Sequence, residues 1–345
     1  MKLRTALRQA QGERGFLISS NHPDRDWLAA ASALAERGRP LSRPNPAVGA
    51  VIVRDGRVVG RGWTQSGGRP HAEAVALVMA GDAAKGATLY VTLEPCAHAS
   101  PRGPSCADLV AASGLARVVA GVRDPDPRTA GAGFDRIVTA GIATALVPCP
   151  TATASLAGYL SQRRKGRPHV TLKLALSLDG CIALASGESQ WITGPQARAH
   201  GHLERARADA ILVGGGTLRA DAPRLDVRLA GLEARSPQRW VLTGSTAPDG
   251  WHAIASPAAI STMGDIQYLL VEGGARTAAA FLKADLVDRL LIYRAPIVIG
   301  GGLPGVTSIG LADLAAAHDR WRRADTRRLG NDTLEVYEHA ACSPA

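Results

Sequence analysis

The apolar positions in the first half of the chain follow a helical period in some stretches and a strand period in others. Apolar side chains recur at helical spacing from Arg25 to Arg37, which predicts a helix there. The stretches AVGAVIV and RVVGRGW predict two strands joined by the turn dipeptide Asp55-Gly56. Further strands are predicted at 87–95, 116–122 and 142–147, and further helices begin at His71, Cys106 and Phe134. Because strands alternate with helices, this half is predicted to form a three-layer α/β domain.

A second series of strands and helices is predicted after residue 168. The strands are HVTLKLALS, AILVGGG, RWVLTG, YLLVEGG and DRLLIYRAP, and helices are predicted at Pro195–Ala208 and Thr277–Ala284. The stretch Leu329–Thr333 lies between two strand-like runs and predicts an antiparallel hairpin. We therefore predict a disordered lead at 1–24, a first domain at 25–148, a linker region at 149–167 and a second α/β domain at 168–340. The linker region contains a short helical piece and a basic run at 163–167, which is expected to be solvated.

The composition predicts a cytoplasmic protein with substantial hydrophobic cores. The chain has 345 residues, of which 46% are hydrophobic, and no apolar run is long enough to span a bilayer. Its basic start lacks the apolar core of a secretory signal. Five unevenly spaced cysteines argue against a disulfide framework and for a reducing compartment. In that compartment a cluster of cysteine and histidine residues more often binds a metal.

The net charge of +10 has two interpretations. It reflects either a solvated surface rich in arginine or an attraction to phosphate, on a nucleic acid or on a small molecule. Aromatic residues make up only 4% of the chain and offer little surface on which bases could stack. The composition therefore favours a phosphorylated small molecule as the partner, without nucleic acid or membrane.

The strongest chemical signal is a set of four residues in two stretches, HAEAVAL and TLEPCAHASPRGPSCADL. His71, Cys96 and Cys106 are predicted to bind Zn²⁺ and to leave a fourth position open for water, whose pKa the metal lowers toward neutrality. Glu73 is predicted to transfer protons without binding the metal. A lone His-x-Glu is more often a surface pair, and a lone cysteine is more often a buried apolar residue. The combination, with each piece between a strand and a helix, favours a zinc-dependent deaminase.

Four motifs, PNPAVGAVIV, GGRPHAEAVAL, TLEPCAH and DPDPRTAGAGF, together resemble the deaminase half of the bifunctional riboflavin-biosynthesis deaminase-reductases. The resemblance implies a cytidine-deaminase-like fold. It also implies hydrolysis of a pyrimidine amine on a substrate with a phosphoribosyl arm, 2,5-diamino-6-(5-phosphoribosylamino)pyrimidin-4-one. By motif match, Asn45, His98 and Asp124 line the pyrimidine pocket together with Glu73.

Two features depart from the pattern of that family. Nine residues separate Cys96 from Cys106, where the family usually has eight, so a contact of Arg102 with phosphate is not carried over from the family. Asp126 stands where the family usually has Asn, and a carboxylate cannot donate a hydrogen bond as an amide can.

Three later stretches resemble the reductase half of the same enzymes. These stretches are SLDGCIALASGESQWITG, HLERARADAILVGGGTLRADAPRLDVR and VEGGARTAAAFLKADLVDRLLIYRAPIVIG. The resemblance implies a dihydrofolate-reductase-like domain that uses NADPH to reduce the ribosyl side chain to ribityl. The implied substrate contacts are Ser189, Arg205, Leu225, Arg228 and Glu272. The implied NADPH contacts are Ala175, Trp191, Thr217, Asp221, Gly274, Ala275, Arg276 and Thr277.

Two glycine clusters and one lysine support a second site without defining it. Gly214–Thr217 and Glu272–Thr277 follow strands and lead toward helices, where free backbone N–H groups can bind phosphate. No Gly-x-Gly-x-x-Gly motif accompanies them, so a Rossmann domain has no support. Lys173 is either an electrostatic partner of the substrate or a strand lysine that extends to solvent.

The segment between RWVLTG and YLLVEGG is short, where the family usually has another strand-helix unit. Three hypotheses follow: a two-step deaminase-reductase, a deaminase whose second domain is only a scaffold, and a nucleic-acid deaminase. The first hypothesis is preferred. The chain is also expected to form a homo-oligomer.

Overall fold

The computed structural model describes residues 23–98 and 100–340. The first half forms a five-stranded sheet with helices on both faces, as the alternating pattern predicts. Most of the predicted disordered lead, residues 1–22, lies outside the described residues. The strands are β1 (Gly49–Arg54), β2 (Arg57–Trp63), β3 (Thr88–Leu93), β4 (Arg117–Val122) and β5 (Ala143–Leu146). The helices are α1 (Pro23–Ala35), α2 (Ala72–Ala80), α3 (Cys106–Ala111) and α4 (Ala132–Thr139).

The order of this sheet brings three strand ends to one edge. The strands are arranged β2-β1-β3-β4-β5; β1 is antiparallel to both its neighbours, whereas β3, β4 and β5 are parallel. The carboxyl ends of β2, β3 and β4 therefore point the same way. Because α2 and α3 begin near this edge, the residues at their N-termini are close to the segment that follows β3.

Helix α1 includes the last two residues of the predicted lead, Pro23 and Asp24. Asp24 is buried and accepts hydrogen bonds from the Tyr90 hydroxyl at 3.0 Å and from both terminal nitrogens of Arg117 at 3.0 and 2.8 Å. These contacts attach the helix to β3 and β4. The prediction that Pro23 and Asp24 belong to a disordered lead was therefore wrong, because a charged residue in a polar stretch gave no sign of its buried partner.

The second half forms an eight-stranded sheet and a small two-stranded one. The helices are α7 (Pro195–Ala206), α8 (Gly215–Asp221) and α9 (Ala275–Lys283). The large sheet contains β6 (His169–Leu176), β8 (Ala210–Gly214), β9 (Gln238–Leu242), β10 (His252–Ile254), β11 (Tyr268–Val271), β12 (Arg289–Arg294), β14 (Trp321–Leu329) and β15 (Asp332–His339). The small sheet pairs β7 (Cys181–Ala183) with β13 (Leu303–Pro304).

Six strands of the large sheet are parallel, in the order β10-β9-β8-β11-β6-β12, and the hairpin β15-β14 extends it on one side. Parallel strands read as continuous apolar runs because both faces are covered, and β8 and β11 are buried along their whole length. The carboxyl ends of β8 and β11 lead directly into α8 and α9. Ligands of open parallel sheets bind at such an edge.

The connecting segment is more ordered than a solvated linker. It forms α5 (Pro150–Ser155) and α6 (Ala157–Lys165), and Leu156 and Tyr159 are buried in the core of the first half. The basic run at 163–167 was predicted to be solvated; residues 163–166 are exposed, but the prediction was wrong for Arg167. Arg167 donates to the buried Asp288 at 2.6 Å, and Lys165 lies 2.9 Å from the same carboxylate. A buried carboxylate requires such partners. The domain boundaries at 148 and 168 stay predictions.

The shortened stretch before β11 still contains a strand and a helix. The strand β10 has three residues and pairs in parallel with β9, and a 3₁₀ helix follows at Pro257–Thr262. Ile260 and Ile254 are buried in the core of the second half. The strand-helix unit of this region is therefore reduced in size rather than missing.

None of the helices within residues 23–98 and 100–340 is long and apolar enough to cross a membrane.

The packing of α1 on β1 generates a prediction about stability. A Cβ atom at Gly49 would overlap the carbonyl oxygen of Ala31 and approach the backbone nitrogen of Ala35 to 2.8 Å. We expect Gly49→Ala to lower the free energy of unfolding by about 3 kcal/mol or more, because neither backbone atom can move without shifting the helix. Urea denaturation followed by circular dichroism measures the change.

Gly201→Ala is the matched control. Gly201 lies inside α7, and beyond its chain neighbours and the backbone of its own helix no atom lies within 4 Å of the position that a Cβ would take there. Alanine should therefore leave stability unchanged or raise it by up to about 1 kcal/mol. Equal stability of the Gly49 variant and the unsubstituted chain would contradict the close packing of α1 on β1.

Candidate active sites

His71, Cys96 and Cys106 converge at the edge of the first sheet. The candidate ligand atoms of the three side chains all lie within 4.8 Å of one another. His71 is the N-cap residue of α2, Cys96 follows β3, and Cys106 is the first residue of α3. The Nδ1 atom of His71 lies 3.2 Å from the sulfur of Cys106 and 3.6 Å from that of Cys96. One imidazole and two thiols at this separation fit tetrahedral Zn²⁺ with one position left for water.

The surroundings of Cys96 favour its thiolate. Hydrogen bonding from the Cys106 side chain lowers the pKa of Cys96; burial opposes this change, and His71 reinforces it. The backbone N–H of Cys106 also points at the Cys96 sulfur, at 3.4 Å. Because a thiolate is the form that binds metal, this arrangement suits a metal ligand.

Glu73 lies in the first turn of α2 and is 3% exposed. Burial raises the pKa of its carboxyl group, and the neighbouring His71 partly opposes this change. A raised pKa makes the ionised carboxylate a stronger proton acceptor, which suits a group that transfers protons. His71 and Glu73 can face the same site although they are only two residues apart, because His71 precedes the helix in extended backbone conformation (φ −74°, ψ 164°).

Asn45 lies beside the imidazole on the side away from the cysteines. Its side-chain nitrogen donates to the carbonyl oxygen of Gly68 at 2.8 Å and lies 3.0 Å from Nε2 of His71. A residue that contacts the outer nitrogen of a metal-binding histidine orients the ring. His98 is half-buried, and its Nδ1 has no hydrogen-bond partner among the described residues.

Asp124 is held in a buried network that the sequence did not predict. It accepts a hydrogen bond from the Tyr159 hydroxyl at 2.7 Å, and burial raises the pKa of its carboxyl group. Glu94, 2% exposed, accepts from the backbone N–H groups of Gly131 at 2.9 Å and Asp124 at 3.3 Å. Glu94 was part of the quoted TLEPCAH motif, but Tyr159 lies in the supposed linker and gave no sequence signal. Both residues support the loop that carries Asp124.

Asp126 is buried and is neutralised by two arginines. Arg128 lies at 2.6 Å and Arg163 at 3.3 Å from its carboxylate, and hydrogen bonds from Arg128 lower its pKa to about 2. Arg102, in the longer loop between the cysteines, donates to the carbonyl oxygen of Gly67 at 3.0 Å. The extra residue leaves both ends of the loop in place, because the N–H of Ala107 donates to the carbonyl oxygen of Cys96 at 3.0 Å.

A second charged cluster lies where β11 ends. Arg205 donates two hydrogen bonds to Glu272, at 2.8 and 2.9 Å, and the amine of Lys173 lies 3.8 Å from the same carboxylate. Burial raises the pKa of Glu272, but Lys173 and Arg205 outweigh burial and lower it to about 2. Because Glu272 occupies the fork of Arg205, the more exposed Arg228 is better placed to meet a phosphate; its side chain pairs with Asp226 at 3.5 Å. Leu225 is buried nearby in sequence, with a positive φ of 56°.

The candidate NADPH contacts fall into two groups. Close packing at the starts of α8 and α9 brings together Thr217 and Gly274–Thr277: a Cβ at Gly214 would overlap the Thr277 hydroxyl, and one at Gly274 would lie 3.6 Å from the Thr217 hydroxyl. A Cβ at Gly273 would also come within 2.6 Å of the Thr277 side chain, so glycine is needed at Gly214 and Gly273. Glycine turns at the starts of helices fit a phosphate-bearing cofactor. Ala175 lies in β6 and Asp221 is the last residue of α8. Ser189 and Trp191 lie on an exposed segment, where Arg198 stacks on the Trp191 ring at 4.8 Å.

A cavity of about 500 Å³ lies beside the start of α8. It is lined by residues that include Gly215, Arg219, Arg239, Thr243, Ser245 and Trp251. Its arginines and hydroxyl groups suit an anionic ligand. None of these residues except the glycine belongs to a cluster that the sequence singled out.

Two family models match the chain in the same order as the two domains. The cytidine and deoxycytidylate deaminase zinc-binding region matches residues 21–122, and the RibD C-terminal domain matches residues 168–334. The fold and the donor set thus define a zinc-dependent deaminase joined to a reductase.

Proteins similar over nearly the full length narrow this class further. Riboflavin biosynthesis protein RibD of Escherichia coli is 39% identical over 90% of this chain and 97% of its own, and that of Mycobacterium tuberculosis is 39% identical over 84% and 90%. Among solved structures, a Thermotoga maritima diaminohydroxyphosphoribosylaminopyrimidine deaminase/5-amino-6-(5-phosphoribosylamino)uracil reductase is 31% identical, with a TM-score of 0.81 over 92% of this chain and 99% of that one. Acinetobacter baumannii RibD is 33% identical, with a TM-score of 0.80 over 92% and 98%.

The chain belongs to the RibD family of bifunctional deaminase-reductases. It is an enzyme of riboflavin biosynthesis with deaminase and reductase activities, and its cofactors are Zn²⁺ and NADPH. The predictions of fold class, function and cofactors are confirmed.

The donor geometry predicts that Cys96 and Cys106 bind zinc and that Cys149 does not. We expect one zinc ion per chain, and we expect Cys96→Ser or Cys106→Ser to lower the zinc content severalfold, because serine supplies no thiolate. Metal analysis of the purified, desalted protein gives the zinc content.

Cys149→Ser is the matched control. Cys149 is also a buried free thiol of the first half, and its sulfur lies 3.1 Å from the Thr151 hydroxyl rather than in the donor set. This variant should keep its zinc. Full zinc occupancy in the Cys106 variant would show that another residue completes the site.

Proposed function

We propose that the chain deaminates 2,5-diamino-6-(5-phosphoribosylamino)pyrimidin-4-one and then reduces the ribosyl side chain of the product to ribityl. The observation that carries the proposal is the His71, Cys96 and Cys106 donor set with Glu73 buried beside it. The printed name of the Thermotoga maritima relative supports this choice of substrate.

In the first domain, His71, Cys96 and Cys106 are proposed to hold the zinc ion. Bound zinc supplies Lewis-acid activation of water. Glu73 takes a proton from the attacking water and delivers it to the departing amine, for which its raised pKa is suited. Asn45, His98 and Asp124 orient the pyrimidine, and the buried position of Asp124 favours a fixed hydrogen-bonding direction.

In the second domain, NADPH supplies hydride to the ring-opened ribose. Thr217 and the turn Gly274–Thr277 are proposed to bind the cofactor, together with Ala175, Trp191 and Asp221. Glu272 is proposed to bind the ribosyl hydroxyl groups as an ionised acceptor, which Lys173 and Arg205 keep charged. Arg228, with Ser189 and Leu225, completes the proposed substrate end.

The wider assignment is also a proposal. The four cysteines that the structure describes are free and buried, which supports a reducing, cytoplasmic location. The homo-oligomer and the lack of a nucleic-acid partner stay predictions.

A mass-spectrometric assay tests both steps. Incubating the zinc-loaded enzyme with the diaminopyrimidine phosphoriboside should give the deaminated product alone without NADPH and the ribityl product with NADPH. The reduced size of the β10 region favours, as the second candidate, a deaminase with a scaffold domain. Deamination without any NADPH-dependent product would select that candidate, and no deamination would refute the proposal.

Glu73→Gln separates metal binding from proton transfer. We expect the variant to keep its zinc and to lose deaminase turnover by about 10² to 10⁴-fold, because the amide cannot transfer a proton. Reduction of the deaminated intermediate by NADPH should be unchanged and serves as the internal control. Near-normal deamination by this variant would exclude the proton-transfer role.

A further inference from the structure

The loop that carries Asn45 is held by residues of the other domain. The side-chain amide of Gln267, immediately before β11, donates to the carbonyl oxygens of Pro44 at 2.9 Å and Asn45 at 3.4 Å. Arg43 in the same loop pairs with Asp265 at 3.3 Å. The loop therefore depends on the reductase domain for part of its hydrogen bonding.

The start of this loop is attached to the same place. The buried guanidinium of Arg39 lies 3.5 Å from the centre of the Tyr268 ring and donates to the carbonyl oxygen of Arg207 at 3.2 Å. Arg235 donates in turn to the carbonyl oxygen of Arg39 at 2.9 Å. A desolvated cation over an aromatic face is among the stronger contacts of this type.

Gln267 is well fixed at its own backbone. Its N–H donates to the buried carboxylate of Asp209 at 2.9 Å, and its carbonyl oxygen accepts from the N–H of His169 at 2.8 Å. The residue is 6% exposed. The backbone contacts and the burial therefore fix the position from which the Gln267 side chain reaches the loop.

Displacement of the Asn45 backbone would reach the candidate zinc site directly. The Asn45 side chain lies 3.0 Å from Nε2 of His71, and the other ring nitrogen of His71 faces the two cysteines. There is no intervening flexible segment between the Gln267 contact and this side chain. A small shift of the backbone therefore changes where the amide meets the pyrimidine and the imidazole.

We propose that Gln267 is a positioning residue of the deaminase pocket, through which the reductase domain sets the placement of Asn45. The inference rests on the proposed function for the role of Asn45. Gln267 acts through the loop: its side-chain hydrogen bonds go to the carbonyl oxygens of Pro44 and Asn45 and not to the candidate zinc ligands. Its loss should weaken substrate binding more than it slows turnover.

Gln267→Met tests the proposal, because methionine keeps the length of the side chain and removes both donors. We expect the KM for deamination to rise about 3- to 10-fold, as the loss of one or two buried hydrogen bonds implies, with kcat changed less than about twofold. Zinc content and the NADPH-dependent reduction of the deaminated intermediate should be unchanged. Hydrogen-exchange mass spectrometry should show faster amide exchange in residues 41–48.

Gln162→Met is the matched control. The Gln162 amide also bridges the two halves, but it donates to the carbonyl oxygens of Gly264 and Ile266 and not to the Asn45 loop. It should leave KM and loop exchange unchanged. If the two substitutions changed KM and loop exchange equally, any loosening of the contact between the two halves would have the same effect as the loss of Gln267. That outcome would overturn the proposal.

Two further outcomes are decisive. If the enzyme deaminates normally and Gln267→Met changes neither KM nor loop exchange, Gln267 has no positioning role. If the unsubstituted enzyme fails to deaminate the pyrimidine, the proposed function fails, while the exchange measurement still decides whether Gln267 holds the loop.

Discussion

The candidate zinc site depends on one geometric constraint: three side chains from three separate segments must lie close enough together to bind one metal ion. The sheet order β2-β1-β3-β4-β5 meets this constraint, because it places the starts of α2 and α3 and the end of β3 at one edge. The N–H of Cys106 then points at the Cys96 sulfur. Glu94 fixes the neighbouring loop through backbone N–H groups. The site is therefore built mainly from main-chain contacts, into which the reactive side chains are inserted.

In the second domain, candidate site residues again lie at the end of a strand, but β11 has important contacts at both of its ends. Glu272 at the carboxyl end of β11 belongs to the charged cluster with Arg205, whereas Gln267 at the amino end contacts the loop that carries Asn45. Only the four residues of β11 lie between them. Tyr268 adds a third contact, since its hydroxyl donates to the carbonyl oxygen of Ser155 at the end of α5. The connecting helices and the reductase sheet thus form part of the support of the first site, which is a reason to keep both activities on one chain.

The sequence predicted the elements and the zinc donor set because both depend on local signals. Strand and helix periods identify β3 and α2, and the residue types of His71, Cys96 and Cys106 restrict the chemistry. The contacts between distant segments had no local signal. Asp24 looked like part of a polar tail, Tyr159 looked like part of a linker, and Arg167 looked solvated, yet each has a buried partner far away in the chain. Short elements such as β7 and β10 were also missed, because three residues are too few to show a period.

The positive charge of the chain is better explained by where arginines lie than by how many there are. Arg39, Arg167 and Arg205 are largely buried and hold the fold together, so they offer nothing to a nucleic acid. On the arginine-rich edge strand β14, Arg322 pairs with Glu338 and Arg327 with Asp325. By contrast, Arg219 and Arg239 line a cavity beside the glycine turns. Basic groups gathered around a concave site of small-molecule size suit a phosphorylated small molecule.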